Sequence, residues 1–236
     1  MEAGPRGRKH GMDCKMMPIV IVGSGGQGRE TAQLIKDINR DHHKWDILGY
    51  IDERLEQQGR VLRGVRVLGG MNSVQEYVEM ESCCFICAIG QPEIRRRVVE
   101  ELNTKYPQIR YATLIHPTAV VADDQIIGEG TVLCAHTVIT TDVHIGNHVL
   151  INYGSTIGHD TVIEDYVSIL PGCHLSGSTH VSECVSLGTG TVVIQNVSIG
   201  RNTIVGAGAV VVKSLPDHCT AYGTPAKPMK ARDPSE

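Results

Sequence analysis

Aliphatic residues recur at every sixth position of the chain between Ile115 and Val211, without an interruption. The seventeen positions are Ile115, Val121, Ile127, Leu133, Ile139, Ile145, Ile151, Ile157, Ile163, Ile169, Leu175, Val181, Leu187, Val193, Ile199, Val205 and Val211. An α-helix has a period of about 3.6 residues and an alternating strand a period of about 2, and neither requires a strict period of six. The pattern instead predicts a parallel β-helix, in which three six-residue sides form a triangular coil and each side points one aliphatic residue inward.

The residues between these aliphatic positions fit a narrow solenoid. The fifth position of most hexads holds a small or β-branched residue, as at Thr131, Ser155 and Ala209. The whole sequence contains one Phe and one Trp, which suits a thin core filled by Ile, Val and Leu. Coils of about eighteen residues that stack at roughly the 4.8 Å strand spacing would give about five to six coils.

The sequence ahead of the repeat has the pattern of a small α/β domain. Predicted strands are Ile19–Val22, Ile47–Ile51, Cys83–Ile89 and Tyr111–Ile115, and predicted helices are Arg29–Asn39, Ser73–Met80 and Glu93–Thr104. We predict an α/β Rossmann-like domain over residues 18–113, the β-helix over 114–215 and a C-terminal tail over 216–236. Residues 1–17 contain basic residues but no apolar segment after them, so we expect a disordered extension rather than a signal peptide.

A glycine-rich loop separates the first predicted strand from the first predicted helix. Gly23–Gly28 has the spacing G-x-G-x-x-G, which lets backbone N–H groups and a helix N-terminus approach a phosphate. Asp52 and Glu53 end the next strand, where an acid can meet a ribose hydroxyl, and Gly70 and Gly90 lie at other strand ends. The roughly 95 residues ahead of the repeat are too few for a full dinucleotide fold, so a nucleotide sugar is a better ligand than NAD. The alternative is a tight turn followed by surface acids.

Charge and hydropathy argue against two classes of partner. The formal net charge is -4 and no run of basic residues is longer than the three of Arg95–Arg97, which argues against nucleic acid. No apolar stretch approaches the roughly eighteen residues of a membrane-spanning helix. We therefore expect a cytoplasmic protein with no membrane partner.

Eight cysteines raise the question of disulfides or a metal site. Cys84 and Cys87 have the spacing of zinc ligands, but they lie in an apolar segment without a second Cys or His pair at a matching distance. We interpret them as reduced core thiols and expect no metal. A zinc-dependent carbonic anhydrase on the same solenoid is the alternative: His144 and His180 occupy equivalent corners, but Val185 stands where a third histidine would be needed.

Histidines are frequent in the repeat, and one of them stands beside an acid. Seven lie in or next to the hexads, namely His116, His136, His144, His148, His159, His174 and His180. With the aliphatic residue counted as first, His159 is the third residue of its hexad and Asp160 is the fourth. This predicts a corner that carries an imidazole next to a carboxylate. For any single histidine the alternative is a solvated or hydrogen-bonded surface residue.

Several motifs follow one another in a characteristic order. They are Ile21–Gly28, Tyr50–Glu53, Ala88–Gly90, Glu93–Arg95, Leu114–Pro117, the hexads, Ile157–Asp160 and Gly223–Lys227. Over residues 18–230 the chain resembles the hexapeptide-repeat acyltransferases of the sialic-acid O-acetyltransferase type, which include the N-acetyltransferases of UDP- and GDP-linked 4-amino sugars. The resemblance implies a left-handed β-helix, a homotrimer, and acetyl-CoA bound between neighbouring prisms.

The resemblance also implies an activity and the residues that perform it. It implies acetyl transfer to a nucleotide-linked amino sugar, a UDP- or GDP-4-amino-dideoxy sugar of surface glycan biosynthesis. His159 matches the family's general base, Asp160 matches the acid that orients its ring, and Gly177 matches a glycine whose N–H meets the thioester oxygen. Matches to acetyl-CoA contacts are Ser168, Thr189 and Ala207, and matches to nucleotide-sugar contacts are Gly25, Gly26, Gln27, Asp52 and Glu53.

Two positions depart from the family pattern. Gln27 and Ser168 stand where relatives usually carry histidine. Gln27 can hydrogen-bond to a phosphate or a sugar but cannot titrate, and Ser168 can only donate or accept locally. Both departures concern ligand contacts and leave the acyl-transfer chemistry unchanged.

Two other functions remain open at this point. An O-acetyltransferase of sialic acid or a related sugar would use the same base, because a neutral imidazole can take a proton from a hydroxyl or an amine. A non-catalytic trimeric scaffold would bind a nucleotide sugar at the glycine loop without binding CoA.

Overall fold

The structure is a computed structural model, and it describes residues 16–123 and 125–231. An N-terminal α/β domain leads into a left-handed parallel β-helix, so the predicted fold class is confirmed. The predicted N-terminal extension lies mostly in residues 1–15, outside the described residues. Its last residue, Met17, is the first residue of a strand.

The N-terminal domain is a five-stranded sheet with helices on both sides. Its strands are β1 (Met17–Val22), β2 (Trp45–Ile51), β3 (Val61–Leu62), β4 (Val65–Gly69) and β5 (Cys84–Cys87), in the spatial order β3-β4-β2-β1-β5. Its helices are α1 (Gly26–His42), α2 (Val74–Val78) and α3 (Pro92–Lys105), with 3₁₀ turns at Leu55–Gln57 and Met71–Ser73. Because β1, β2, β4 and β5 run parallel, the glycine loop after β1 and the acids after β2 meet at one edge of the sheet.

Two local predictions in this domain need correction. The β3–β4 hairpin was missed, although Arg63 and Gly64 form a two-residue turn in which both residues have positive φ, at 50° and 82°. The strand predicted over Tyr111–Ile115 is divided: Tyr111 makes a single parallel bridge to Phe85, and Leu114–Ile115 already belongs to the β-helix. The turn from domain to solenoid therefore falls between those residues.

The described part of the β-helix contains seventeen two-residue strands, β6 to β22, whose second residue is the aliphatic residue of each hexad. They are Leu114–Ile115, Val120–Val121, Ile126–Ile127, Val132–Leu133, Val138–Ile139, His144–Ile145, Leu150–Ile151, Thr156–Ile157, Val162–Ile163, Ser168–Ile169, His174–Leu175, His180–Val181, Ser186–Leu187, Val192–Val193, Ser198–Ile199, Ile204–Val205 and Val210–Val211. Each strand pairs in parallel with the strand eighteen residues away, as Ile139 does with Ile157.

Three parallel sheets form the faces of the prism. Face 1 contains β6, β9, β12, β15, β18 and β21; face 2 contains β7, β10, β13, β16, β19 and β22; face 3 contains β8, β11, β14, β17 and β20. The N-terminal domain packs on face 1, where Val132 and Leu150 join the apolar cluster of Ile19 and Ile35. Faces 2 and 3 meet at the edge opposite this contact.

The aliphatic residues fill the prism as predicted, except in the first coil. From Leu133 to Val211 they form one buried cluster. Ile115 is 38% exposed, because no preceding coil covers it. Buried threonines at the fifth position satisfy their hydroxyls on the stacked backbone, as Thr131 does by donating to the Gly146 carbonyl at 2.9 Å.

From the third hexad onward, each corner of the coil turns through a left-handed residue. The fourth residue of every hexad from Gly130 to Gly208 has positive φ, including Asp160 at 57°. Glycine, asparagine and aspartate adopt this conformation most easily, which explains their frequency at this position. The third residue, immediately before the turn, is therefore presented at the edge of the prism.

The segment predicted as a C-terminal tail contains two further strands. β23 (Cys219–Tyr222) extends face 1 beside β21, and β24 (Lys227–Ala231) pairs antiparallel with β23. The segment assigned to a C-terminal tail thus continues face 1 after the hexad period has ended.

The described cysteines are free thiols. Burial raises the pKa of Cys83 to about 11 and that of Cys87 to about 12, so neither is a reactive thiolate at neutral pH. Across residues 16–123 and 125–231, we find no group of three or more His, Cys, Asp or Glu side chains placed to hold a metal ion. None of the described helices has the length and hydropathy to cross a membrane.

Candidate active site

A large pocket lies between the N-terminal domain and face 1 of the β-helix. Its volume is about 1200 Å³. Its lining includes Gly23, Gly25, Gly26, Gln27, Asp52, Glu53, Arg54, Met71, Gly90, Gln91, Pro92, Leu170, Ser186 and Ile204. The pocket thus brings together the predicted nucleotide-sugar residues Gly25, Gly26, Gln27, Asp52 and Glu53. Gly70 is not among the lining residues, but Met71, which follows it, is.

Two helix N-termini open into this pocket. α1 begins after Gly25 and α3 begins after Gln91, and neither N-cap residue makes a side-chain capping hydrogen bond. The first N–H groups of a helix have no intrahelical acceptor and carry a partial positive charge. The start of α1 therefore presents backbone donors suited to a phosphate group, and the start of α3 presents fewer, because its first residue, Pro92, has no N–H.

The glycines of the loop have different roles. A Cβ on Gly28 would lie 2.0 Å from the Gly23 carbonyl oxygen, so Gly28 allows the loop to pack against the helix. Gly23 has a φ of 100°, which a residue with a side chain rarely adopts. A Cβ on Gly25 or Gly26 would meet nothing within 4 Å, so these two residues leave open space at the pocket wall.

Asp52 fixes the glycine loop. Its carboxylate accepts hydrogen bonds from the Ser24 N–H at 2.8 Å, the Ser24 hydroxyl at 2.6 Å and the Arg54 guanidinium at 2.8 Å. Burial alone would raise the pKa of the Asp52 carboxyl, but the hydrogen bonds from Arg54 and Ser24 hold it far below its usual value. Both carboxylate oxygens of the acid predicted to meet a ribose therefore already accept hydrogen bonds, one from Arg54 alone and the other from Ser24 and Arg54.

Arg54 is a pocket residue that the sequence reasoning missed. Its side chain is 50% exposed while it pairs with Asp52, so part of the guanidinium faces the pocket. The sequence feature that could have indicated it is a basic residue two positions after Asp52.

Glu53 accepts a hydrogen bond from the Met71 N–H and lies against Gly70, where a Cβ would be 3.1 Å from Glu53 Oε1. Glu53 thereby orders the segment after β4.

The predicted imidazole–carboxylate pair is present at a corner of the β-helix. His159 Nδ1 lies 2.6 Å from Asp160 Oδ2, and the two side chains are 64% and 60% exposed. Gly177 lies one coil further along the same edge and directly under the ring: a Cβ there would be 2.5 Å from both Cε1 and Nε2 of His159. The absence of a side chain at Gly177 is thus what gives the imidazole its place.

The N–H of Gly177 is available to a ligand. In the ladder, the second, fourth and sixth residues of a hexad donate to neighbouring coils, as Gly158, Asp160 and Val162 do, whereas the third residue does not. At Asn147 and Glu183 an acidic side chain accepts this third N–H. The N–H of Gly177 has no acceptor among the described residues.

A second imidazole–carboxylate pair provides a comparison. His180 Nε2 lies 2.7 Å from Glu164 Oε1 on face 3, and both groups are partly exposed. Here the other oxygen of the Glu164 carboxylate accepts a hydrogen bond from the Glu183 N–H, so this backbone donor is not available to a ligand. Of these two pairs, the His159 pair is the one that lies beside an unoccupied backbone N–H.

The surface interpretation of the histidines is wrong for His148. It is 3% exposed, and its ring stacks on Tyr166 and meets the Tyr111 ring edge to face. Burial, and then the positive charge of Arg95, lower its pKa to about 4, so it is neutral at physiological pH. His148 lies at a corner that the N-terminal domain covers, and the period of six does not indicate which corners are covered.

The pocket and the His159–Asp160 pair lie on opposite sides of one prism. His159, Asp160 and Gly177 are on the edge between faces 2 and 3, and the pocket lies against face 1. The remaining predicted cofactor residues, Thr189 and Ala207, are exposed on the edge between faces 1 and 2. A single chain therefore does not unite these groups.

Ser168 requires a correction. It is fully buried, its hydroxyl donates to the Gly90 carbonyl at 2.7 Å, and it accepts from Arg95 Nη2 at 2.9 Å. The prediction of Ser168 as an acetyl-CoA contact is wrong for its side chain, because the N-terminal domain covers this part of face 1. Ser168 joins the two domains instead.

Two family models match the chain. Residues 18–102 match the PglD N-terminal domain, and residues 142–177 match the bacterial transferase hexapeptide repeat. UDP-N-acetylbacillosamine N-acetyltransferase of Bacillus subtilis is 34% identical over 123 residues, a match that spans 51% of this chain and 52% of that relative. The chain thus matches about half the length of this curated relative.

Solved structures match over a larger share of the chain. The acetyltransferase domain of PglB from Neisseria gonorrhoeae, in complex with acetyl coenzyme A, is 31% identical with a TM-score of 0.82, covering 91% of this chain and 100% of that one. A histidine-to-asparagine variant of perosamine N-acetyltransferase from Caulobacter crescentus, in complex with CoA and GDP-perosamine, is 30% identical with a TM-score of 0.83, covering 90% and 97%. The likeness is therefore to amino-sugar N-acetyltransferases, and the expected likeness to the sialic-acid O-acetyltransferase type is not supported. The chain belongs to the family of hexapeptide-repeat acetyltransferases that carry a PglD N-terminal domain.

Proposed function

We propose that this acetyltransferase moves the acetyl group of acetyl-CoA to the amine of a nucleotide-linked amino sugar, a UDP- or GDP-4-amino-dideoxy sugar, with His159 as general base. The observation that carries the proposal is the His159–Asp160 pair stacked on Gly177, whose N–H is unoccupied. Bound CoA and GDP-perosamine in the Caulobacter crescentus relative support the choice of substrates.

The proposal includes two proton transfers by His159. Because Asp160 lies beside Nδ1, that nitrogen carries the ring proton and Nε2 is free to accept one. The sugar amine attacks the thioester carbon while Nε2 takes a proton from it, and the carbonyl oxygen becomes an oxyanion. The N–H of Gly177 donates to this oxyanion, an interaction worth about 3 kcal/mol. The C–S bond then breaks, and the imidazolium returns its proton to the CoA thiolate.

The pocket supplies the nucleotide-sugar site in this proposal. A pyrophosphate between Gly25 and Gln91 would meet the N-termini of α1 and α3. The exposed part of Arg54 adds a charged donor nearby. The apolar residues of face 1, Leu170 and Ile204, form the opposite wall.

The separation of pocket and base supports a homotrimer as the active species. Since face 1 and the edge of His159 are opposite in one prism, a sugar held in one chain's pocket needs the base of a neighbouring chain. A closed ring of three chains, each offering the same edge to the next pocket, satisfies this requirement three times. Acetyl-CoA would then lie between neighbouring prisms, where Gly177 of one chain and Thr189 and Ala207 of another can both be reached.

A ligand screen tests the proposal. Thermal shift with UDP, GDP, CMP and dTDP sugars, with and without acetyl-CoA, should show stabilisation by one class of nucleotide sugar and by the cofactor, because a ligand that binds the folded state raises Tm. Release of CoA thiol with the stabilising sugar should follow. Sugar binding without any effect of acetyl-CoA would support a scaffold, and acetylation of free sialic acid would support O-acetyl transfer.

Gly25 offers a test of the anion site. Gly25→Asp should raise KM for the nucleotide sugar by about tenfold or more, because the new carboxylate would stand where the pyrophosphate binds. Gly25→Asn is the matched control: both side chains cap a helix well, and the backbone φ of -68° accepts either. The ratio of the two KM values isolates the charge. Equal KM values for the two variants would contradict a phosphate site at this helix.

Gly177 offers a test of the stacked imidazole. Gly177→Ala should lower kcat by about 100-fold, because the new Cβ would occupy the space of His159 Nε2 and displace the ring by roughly 1 Å. Gly177 does not have positive φ, so alanine should leave Tm unchanged or slightly raised. Steady-state kinetics and a melting curve on the same sample check both expectations. A variant with wild-type kcat would show that the ring position is not needed.

A further inference from the structure

Arg95 is a buried cation at the junction of the two domains. It lies in the first turn of α3 and is 2% exposed. Burial lowers its pKa to about 10, so the guanidinium still carries its charge at neutral pH. Burying a charge is unfavourable unless hydrogen bonds replace its water.

The hydrogen bonds of Arg95 reach both domains. On the side of the β-helix, Nε donates to the His148 carbonyl at 2.8 Å, and Nη2 donates to the Tyr166 carbonyl at 2.8 Å and to the Ser168 hydroxyl at 2.9 Å. On the side of the N-terminal domain, Nη1 donates to the carbonyls of Ile89 and Gly90. One planar group therefore holds backbone from both domains in a fixed arrangement.

The backbone that Arg95 holds is a wall of the pocket. Ile89 and Gly90 line it, and Gln91 and Pro92, which follow directly, form the start of α3. Ser168 adds a second tie, because its hydroxyl donates to the Gly90 carbonyl at 2.7 Å. The N-terminus of α3 is thus anchored to face 1, while the N-terminus of α1 is anchored to β2 through Ser24 and Asp52.

We propose that Arg95 is a positioning residue for nucleotide-sugar binding, which holds the Gly90 segment and the start of α3 at the distance from α1 that a pyrophosphate requires. Arg95 does not touch the ligand in this arrangement. It orients the donors before the substrate arrives, and a preorganised site loses less free energy on binding. This inference rests on the proposed function of the pocket.

The test separates the two substrates of the reaction. Arg95→Met keeps an apolar stem but removes every donor, and it should raise KM for the nucleotide sugar by about tenfold or more. KM for acetyl-CoA and kcat at saturating sugar should change less than about twofold, because the cofactor edge and His159 are elsewhere. Arg95→Lys keeps the charge with fewer directed donors and should fall in between. Arg97→Met, an exposed arginine of the same helix, is the matched control and should behave as wild type.

A second variant protects the test against a folding failure. Ser168→Ala removes one tie to Gly90 and should raise the same KM by about threefold, with its Tm close to that of wild type. If Arg95→Met folds and its KM for the sugar is unchanged, the proposal is overturned, even if Tm falls. If Arg95→Met does not fold, an unchanged KM for the sugar in Ser168→Ala overturns it. The probe is GDP-perosamine or a UDP-linked 4-amino-dideoxy sugar, whichever the wild type acetylates. A wild type that acetylates neither points to a failure of the proposed function, not of Arg95.

Discussion

His159→Asn is expected to lower kcat by about 10²–10⁴-fold, the range typical for loss of a general base. Asparagine keeps a polar group of similar reach but cannot take up a proton. Because the His159 side chain is 64% exposed, the substitution should leave Tm unchanged. KM for both substrates should stay within about threefold of wild type, since the lost interaction forms only in the transition state.

His180→Asn is the matched control for this prediction. His180 also lies within 2.7 Å of a carboxylate and is partly exposed, but the spare backbone N–H beside it is already bonded to Glu164. We expect this variant to keep the kcat of wild type. If His180→Asn lost activity and His159→Asn did not, the assignment of the base would be wrong, and the edge of face 3 would have to be considered instead.

The fold could be predicted because its signal is local and repeated. Each aliphatic residue from Leu133 to Val211 is buried where the period of six places it, and no contact between distant parts of the chain was needed to predict it. The same counting placed His159 and Asp160 at a corner, since a residue's position in the hexad fixes whether it points inward or lies on an edge. Gly177 was implied by the family resemblance, and the eighteen-residue coil places it one coil beyond His159 on the same edge.

The domain junction could not be predicted in this way. The hexads do not indicate which of three equivalent faces the N-terminal domain covers, so Ser168 and His148 were taken for accessible residues. Arg95 bonds to Ser168 across 73 residues of sequence, and Ser24 to Asp52 across 28. Such contacts depend on how the two domains pack, and neither propensity nor periodicity contains that information.

In the proposed homotrimer, assemblies that combine two different defective chains should be more active than either parent. One parent is His159→Asn, which keeps its pocket, and the other is Gly25→Asp, which keeps its base. The two chains are expressed together with different affinity tags, and only assemblies that carry both tags are purified. Activity is then measured at a sugar concentration well below the wild-type KM, where Gly25→Asp alone should turn over at about one tenth of the wild-type rate or less.

The expected activity follows from the geometry of a closed ring. If the base of each chain serves the pocket of the next, every mixed trimer contains one junction at which an intact base faces an intact pocket, so about one third of the sites should turn over. If the base served the pocket of its own chain, each chain would carry one defect and no intact site could form. Because the pocket lies against face 1 and His159 lies on the opposite edge, we expect the first result. Activity no higher than the sum of the two parents would show that pocket and base meet within one chain, and would contradict the shared site.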